Sequence, residues 1–100
     1  MTSILEELFK HNLWANLRLL DACDKLSDAQ LDTGAPGTYG RIRDTLVHLV
    51  GAEELYLALL TGKQPERPLR PGDGFPGIAE LRERARRSGE GLVGDRKSVV

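Results

Sequence analysis

The sequence predicts an all-α fold, a helical bundle within a single domain. Two stretches, from Leu5 to Leu26 and from Ile42 to Leu60, place apolar residues at alternating spacings of three and four. This spacing is typical of one face of an α-helix. No stretch alternates apolar and polar residues as a half-buried strand does, and 100 residues provide one small core.

The first helix is predicted from about Ile4 to Leu26, and Ser3 and Glu6 have the spacing of an N-terminal capping box. Its buried face combines two rows, first Leu5, Leu8, Asn12, Ala15, Leu19, Ala22 and Leu26, then Phe9, Leu13, Asn16, Leu20 and Cys23. The two asparagines need hydrogen-bond partners there, on backbone or a neighbouring helix, or else they line a pocket. Ser27 is placed to cap a short further turn.

The second helix is predicted from about Tyr39 to Thr61, with Gly62 as its left-handed C-terminal residue. Its apolar residues cover more than half the circumference, so it requires neighbours on two sides. His48 shares a stripe with Ala52, Leu55 and Leu59, and we expect it at the interior or its border. Such an imidazole can be buried and neutral, ligate a metal or change charge near neutral pH.

The segment 63–77 contains four prolines and three glycines, which predicts a loop that crosses over between distant helix ends. A third helix is predicted from Ile78 to Ser88, with Ile78, Leu81 and Ala85 inward. Its outer face carries Arg82, Arg84, Arg86 and Arg87, interleaved with Glu80, Glu83 and Glu90. Mixed charges of this kind indicate a solvated helix face, and with a net charge of -1 they argue against nucleic-acid binding.

The remaining features favour a cytoplasmic protein without a membrane segment. No apolar run reaches the roughly 20 residues of a membrane span, and the single cysteine, Cys23, fits a reducing compartment. Cys23 lies on a predicted buried row and is expected to be unreactive. His11 is interpreted as a surface residue, and Trp14 and Tyr56 as packing residues rather than substrate-stacking ones.

Three parts of the chain resemble the DinB/YfiT-like superfamily. They are FKHNLWANLRLLDAC in the first helix, TYGRIRDTLVHLVGAEELYLALLTGK in the second, and the long proline-rich crossover. The resemblance, from Met1 to about Val93, implies an up-down-down-up four-helix bundle. In many members three histidines hold a divalent metal, with zinc or nickel the expected ion here. It also implies a transferase or isomerase acting on a small molecule with a low-molecular-weight thiol as co-substrate.

The chain departs from this family pattern in its histidines. His48 resembles the family's first metal ligand, but the other two form an H-x-x-x-H pair in a fourth helix, and this chain has only His11 and His48. Asp44 is the better candidate to orient His48 from the outer shell, since helix angles place Glu53 well away. We therefore expect three helices of an incomplete bundle, a fragment that binds metal poorly, and an exposed apolar patch on helix two. Such a patch favours association, for example as a homodimer.

Two alternatives remain open for the function: a non-catalytic stress-response or small-molecule-binding bundle, and a non-functional gene fragment. The sequence is divided into a bundle domain at 1–94 and a non-native tail at 95–100. The tail, DRKSVV, matches the translation of a common sequencing-adapter read whose next codon is a stop. We expect the true reading frame to continue into another helix from about Gly94. The alternative is that residues 95–100 are a natural, frayed C-terminus.

Overall fold

The computed structural model describes residues 4–34, 40–62, 67–69 and 74–95. In chain order the helices are α1 (Ile4–Cys23), α2 (Asp28–Leu31), α3 (Ile42–Thr61) and α4 (Ile78–Asp95). The described part of the chain contains no β-strand, only an isolated bridge between Gly34 and Arg41. The fold is therefore an all-α helical bundle, as predicted.

α1 ends at Cys23, three residues before the predicted boundary, because a new helix start lies close behind it. Ser27 caps α2: its Oγ accepts from the Gln30 backbone N–H at 3.1 Å, and Gln30 Oε1 accepts from the Ser27 N–H at 2.9 Å. This reciprocal pair is a capping box, and it confirms the short turn predicted after Ser27. Ser3, part of the other predicted capping box, lies outside the described residues.

α3 begins at Ile42 rather than near Tyr39, which itself lies outside the described residues. Gly40 has a φ of 82°, a backbone conformation that a right-handed helix does not contain. The C-terminus follows the prediction, since Gly62 is left-handed with a φ of 79° and donates its N–H to the Ala58 carbonyl at 2.8 Å.

α4 packs against both α1 and α3. Arg82 pairs with Asp21, whereas Gly89, further along α4, lies against the earlier residue Leu13, so α1 and α4 run antiparallel.

α3 and α4 run parallel, because Arg84 pairs with Glu54 and the later Gly91 lies against the later Leu57. A parallel pair requires a connection that returns along the bundle. Two of its described residues pack along α3 in reverse order: Leu69 lies beside Gly51, and the Phe75 ring lies 5.1 Å from the Arg43 guanidinium carbon. The predicted crossover is confirmed, with α1 up and α3 and α4 both down.

α4 extends to Asp95, beyond the predicted end at Ser88. Gly89, Gly91 and Gly94 follow Ser88 in the sequence, and glycine is a poor helix former. In the structure Gly89 is instead a close-packing residue, since an added Cβ would lie 2.6 Å from Leu13 Cδ1. Leu92, one turn further on, is buried and continues the packed face. Residues 96–100, nearly all of the predicted non-native tail, lie outside the described residues.

The core lies where α4 meets α1 and α3. Its buried apolar residues are Leu20, Cys23, Leu31, Leu46, Val50, Ile78, Leu81, Ala85 and Leu92. On α1 the buried residues, Asn16, Leu20 and Cys23, all belong to the second predicted row, whose Phe9 and Leu13 are half-buried. The first row was predicted to be buried as well, and that was wrong: Leu5, Leu8 and Leu19 are exposed because α4 covers one side of α1.

Candidate functional site

A buried carboxylate joins the three long helices. Glu53 on α3 is 9% exposed, and its Oε2 accepts hydrogen bonds from Asn12 Nδ2 at 2.8 Å and Asn16 Nδ2 at 2.7 Å, both on α1. Its Oε1 accepts from Ser88 Oγ on α4 at 2.6 Å. The three donors replace water around the carboxylate and so offset the cost of burying it. We call Asn12, Asn16, Glu53 and Ser88 the Glu53 cluster.

Helix geometry explains how one carboxylate reaches these donors. Asn12 and Asn16 are four residues apart, so their side chains lie one above the other on the same face of α1. The short side chain of Ser88 and the missing side chain of Gly89 allow α4 to approach α1 closely. The asparagines therefore bond a neighbouring helix, which was one of the roles the sequence left open. In the sequence, Glu53 was considered only as a partner of His48, and its three hydrogen-bond donors were not predicted.

His48 is exposed, and the prediction that it lies at the interior or its border was wrong. Ala52, Leu55 and Leu59, which share its stripe, are exposed as well. The reason is that α4 and the returning crossover cover the opposite sides of α3, with Leu69 against Gly51. The whole His48 stripe is left facing away from the core.

Asp44 binds an arginine at the start of α3. Its Oδ2 accepts from the Arg41 backbone N–H at 3.2 Å and from Arg41 Nε at 2.9 Å, and its Oδ1 accepts from Nη2 at 3.1 Å. These bonds lower the pKa of the Asp44 carboxyl below its ordinary value. The contact caps the helix, while an outer-shell role for Asp44 beside His48 stays a prediction. Among the described residues, no three His, Cys, Asp or Glu side chains are grouped to hold a metal ion.

Seven of the exposed large apolar residues lie on α1 and α3, and we call them together the α1–α3 face. It consists of Ile4, Leu5, Leu8 and Leu19 on α1 and Leu55, Tyr56 and Leu59 on α3. Asn12 lies in the same row as Leu8, and its side chain reaches Glu53 on α3. The rows that form the face contain the polar residues His48 and Asn12, with Asp44 one turn before His48 and His11 two turns after Ile4. It is therefore a mainly apolar surface, with the His48 imidazole and the Asn12 amide among its polar groups.

A buried ion pair connects α3, α4 and the crossover. Arg84 Nη2 lies 2.7 Å from Glu54 Oε1, and both side chains are 9% exposed. The same nitrogen donates to the Arg67 carbonyl at 2.6 Å. Arg84 was predicted on the solvated outer face, and that was wrong. The burial of Arg84 could have been predicted from its spacing, because Leu81, Arg84 and Ser88 fall on one helical face.

Arg82 and Arg86, by contrast, confirm the solvated mixed-charge face. Arg82 Nε lies 2.6 Å from Asp21 Oδ1, and Arg86 binds Glu83 and Glu90 along α4, the latter at 2.8 Å. Exposed ion pairs of this kind contribute little to stability.

The aromatic residues differ from the prediction. Trp14 and Tyr56 were predicted to pack, but Trp14 is 57% and Tyr56 58% exposed. Trp14 stacks on His11, with ring centroids 5.7 Å apart, and the Arg18 guanidinium carbon lies 5.3 Å from its ring centre. His11 is a surface residue, as predicted. Burial of Cys23 raises the pKa of its thiol, so the reactive thiolate is disfavoured.

The fold and the Glu53 cluster define the class of protein as a helical bundle with α1 up, α3 and α4 down and a crossover between the latter two. A model of the DinB family matches residues 1–88, and the chain belongs to this family. No curated protein and no solved structure matches the chain significantly. Within the described residues, no helix has the length and apolar character needed to cross a membrane.

Proposed function

We propose that this chain is a DinB-family bundle that binds a small molecule on the α1–α3 face, with His48 as a single, weak ligand for a divalent metal ion, zinc or nickel. The observation that carries the proposal is the composition of the face. Among the described residues it is mainly apolar and exposed, and it presents the His48 imidazole and the Asn12 amide for polar contacts. Small-molecule sites commonly combine apolar walls with a few polar groups that fix the ligand's orientation.

The metal chemistry of the family does not fit the described residues as they stand. A catalytic zinc takes three protein ligands and keeps an open position. His48 supplies one imidazole, Asp44 is engaged with Arg41, and no grouping of three ligands occurs in the described part of the chain. We therefore derive no catalytic step, and thiol-dependent transfer or isomerisation requires further ligands in addition to His48. Binding without turnover is the function that this geometry supports best.

The hydrogen bonds that hold Asn12 in place support a binding role for the face. Glu53 holds Asn12 and Asn16 by their amide nitrogens, which fixes the Asn12 side chain at the edge of the face. A side chain held by packing and hydrogen bonds loses little conformational entropy when it binds a ligand. Asn12 would then offer its carbonyl oxygen as an acceptor at a fixed position.

An NMR titration of the ¹⁵N-labelled chain tests this proposal, with Zn²⁺ alone and then with glutathione added. We expect backbone shifts at His48, Ala52 and Leu55 on α3 and little change at Arg86 on the far side of α4. The His48→Ala variant should lose the Zn²⁺ shifts, whereas His11→Ala, which removes the other histidine, should keep them. Zn²⁺ shifts that persist in His48→Ala, or glutathione shifts centred on the outer side of α4, would refute the proposal.

A further inference from the structure

We infer that the small molecule bound on the α1–α3 face carries a primary ammonium group, which binds at Asn12 beside the buried Glu53 carboxylate. This inference rests on the proposed function and names the chemical class of its ligand. Glu53 is 9% exposed and accepts hydrogen bonds from three neutral donors, Asn12, Asn16 and Ser88. In the part of the chain that the structure describes, no cationic side chain pairs with this carboxylate.

The next residue along α3 shows a buried carboxylate with its cation in place. Glu54 is also buried, and its Oε1 lies 2.7 Å from Arg84 Nη2. The neutral donors at Glu53 satisfy its oxygen atoms, but they do not cancel its negative charge, which is screened only weakly in the interior. The Glu53 cluster is therefore a site of negative potential that a bound cation would stabilise.

Asn12 is the member of the cluster that a ligand can reach, because Asn16 and Ser88 are buried whereas Asn12 is exposed. A carboxylate only accepts hydrogen bonds, so the bond of 2.8 Å to Glu53 Oε2 fixes the Asn12 amide with its nitrogen toward Glu53. A reversed amide would bring two acceptor oxygens to that distance, and their negative charges would repel each other. Asn12 Oδ1 is therefore held away from Glu53, and the ligand group that meets it must be a donor.

An ammonium group has both properties that these residues require. It carries a positive charge and three N–H donors, and it has no acceptor. A ligand carboxylate, in contrast, would be repelled by both the Glu53 charge and Asn12 Oδ1. Tyr56 provides a further favourable contact, because it lies three residues after Glu53, is therefore its neighbour on α3, and is 58% exposed. The face of an aromatic ring attracts a cation.

NMR titration of the ¹⁵N-labelled complete chain with benzylamine and, separately, with benzoate tests the inference. The two probes share a phenyl ring and differ in their charged group, so the comparison isolates the ammonium. We expect benzylamine to shift the side-chain amide signal of Asn12 and the backbone signals of Asn12 and Tyr56. Its dissociation constant should be at least about tenfold below that of benzoate.

Glu53→Gln replaces the carboxylate by a neutral amide of the same size and should raise the benzylamine dissociation constant at least about tenfold. Glu80→Gln is the matched control, because it makes the same change at an exposed position on α4, and it should leave the constant within about twofold. Asn12→Ala and Tyr56→Leu change exposed residues, so the test does not depend on the folding of Glu53→Gln. Each should weaken benzylamine binding at least about threefold with an unchanged far-UV circular dichroism spectrum.

Equal affinity for benzylamine and benzoate would overturn the inference, as would a preference for benzylamine that survives in both Glu53→Gln and Asn12→Ala. Zn²⁺ and glutathione shifts at His48 would in that case leave the proposed function standing. If glutathione and both probes shift no residue of the α1–α3 face, the proposed function fails and the inference fails with it.

Discussion

Replacing Gly89 by alanine tests how closely α1 and α4 pack. The added Cβ would lie 2.6 Å from Leu13 Cδ1 and 3.1 Å from Leu13 Cβ. The Cδ1 atom could rotate away, but the contact with Leu13 Cβ is relieved only if the helices separate by several tenths of an ångström. Overpacking of this kind costs about 1–3 kcal/mol. Alanine is a better helix former than glycine by about 0.8–1.0 kcal/mol, which offsets part of that cost.

Gly94→Ala is the matched control, because Gly94 lies in the same helix and no described atom lies within 4 Å of its added Cβ. We expect Gly94→Ala to raise the free energy of unfolding by up to about 1 kcal/mol, less near a fraying helix end. Gly89→Ala should lower it by about 0–2 kcal/mol, since overpacking exceeds the propensity gain. The two variants should therefore differ by about 1–3 kcal/mol.

Urea denaturation at one fixed protomer concentration measures these values, because association would otherwise shift the apparent stability. Leu13→Ala should also cost less in the Gly89→Ala background than alone, since it removes the atoms that clash with the new methyl group. If Gly89→Ala stabilises the chain as much as Gly94→Ala does, the close approach of α1 and α4 is refuted.

The remaining predictions concern charged groups. Arg84→Met should lower the free energy of unfolding by about 3–5 kcal/mol because it leaves the Glu54 carboxylate buried without its cation, whereas the exposed Arg87→Met on the same helix should change it by less than about 0.5 kcal/mol. Thermal and urea unfolding of both variants measure this, and equal effects would contradict the burial of the pair. The lowered pKa of Asp44 stabilises the fold above its ordinary value of 3.8, and this stabilisation is lost as pH falls through the lower folded value. The stability difference between the natural chain and Asp44→Asn should therefore be constant near neutral pH and shrink below about pH 4. A difference that is the same at pH 7 and pH 2 would contradict the contact with Arg41.

Local signals predicted the helices well. Apolar spacing, the Ser27 cap and the left-handed Gly62 act over a few residues, so the chain order of helices and the crossover could be predicted before the fold was known. The helix ends were predicted less accurately where two structural effects compete. α1 stops at Cys23 since Ser27 starts another helix, and α4 continues through Gly89 because tertiary packing outweighs the low helix propensity of glycine.

The covered faces could not be predicted from one sequence. α3 is apolar around most of its circumference, so its spacing does not say which side α4 and the crossover occupy, and His48 was placed on the wrong side. The sequence showed that Asn12 and Asn16 required partners, but the register of two other helices decides that Glu53 is the acceptor. The family match over residues 1–88 has the same limit, since it names the family and assigns no ligand.

X-ray absorption spectroscopy of the Zn²⁺-loaded chain tests whether the chain binds metal through His48 on the α1–α3 face. We expect imidazole scattering at a Zn–N distance of about 2.0–2.1 Å, with oxygen from water or carboxylate as the other ligands. This scattering should disappear in His48→Ala and persist in His11→Ala. An unchanged imidazole signal in His48→Ala, or one that is lost only in His11→Ala, would contradict the assignment of His48 as the metal ligand.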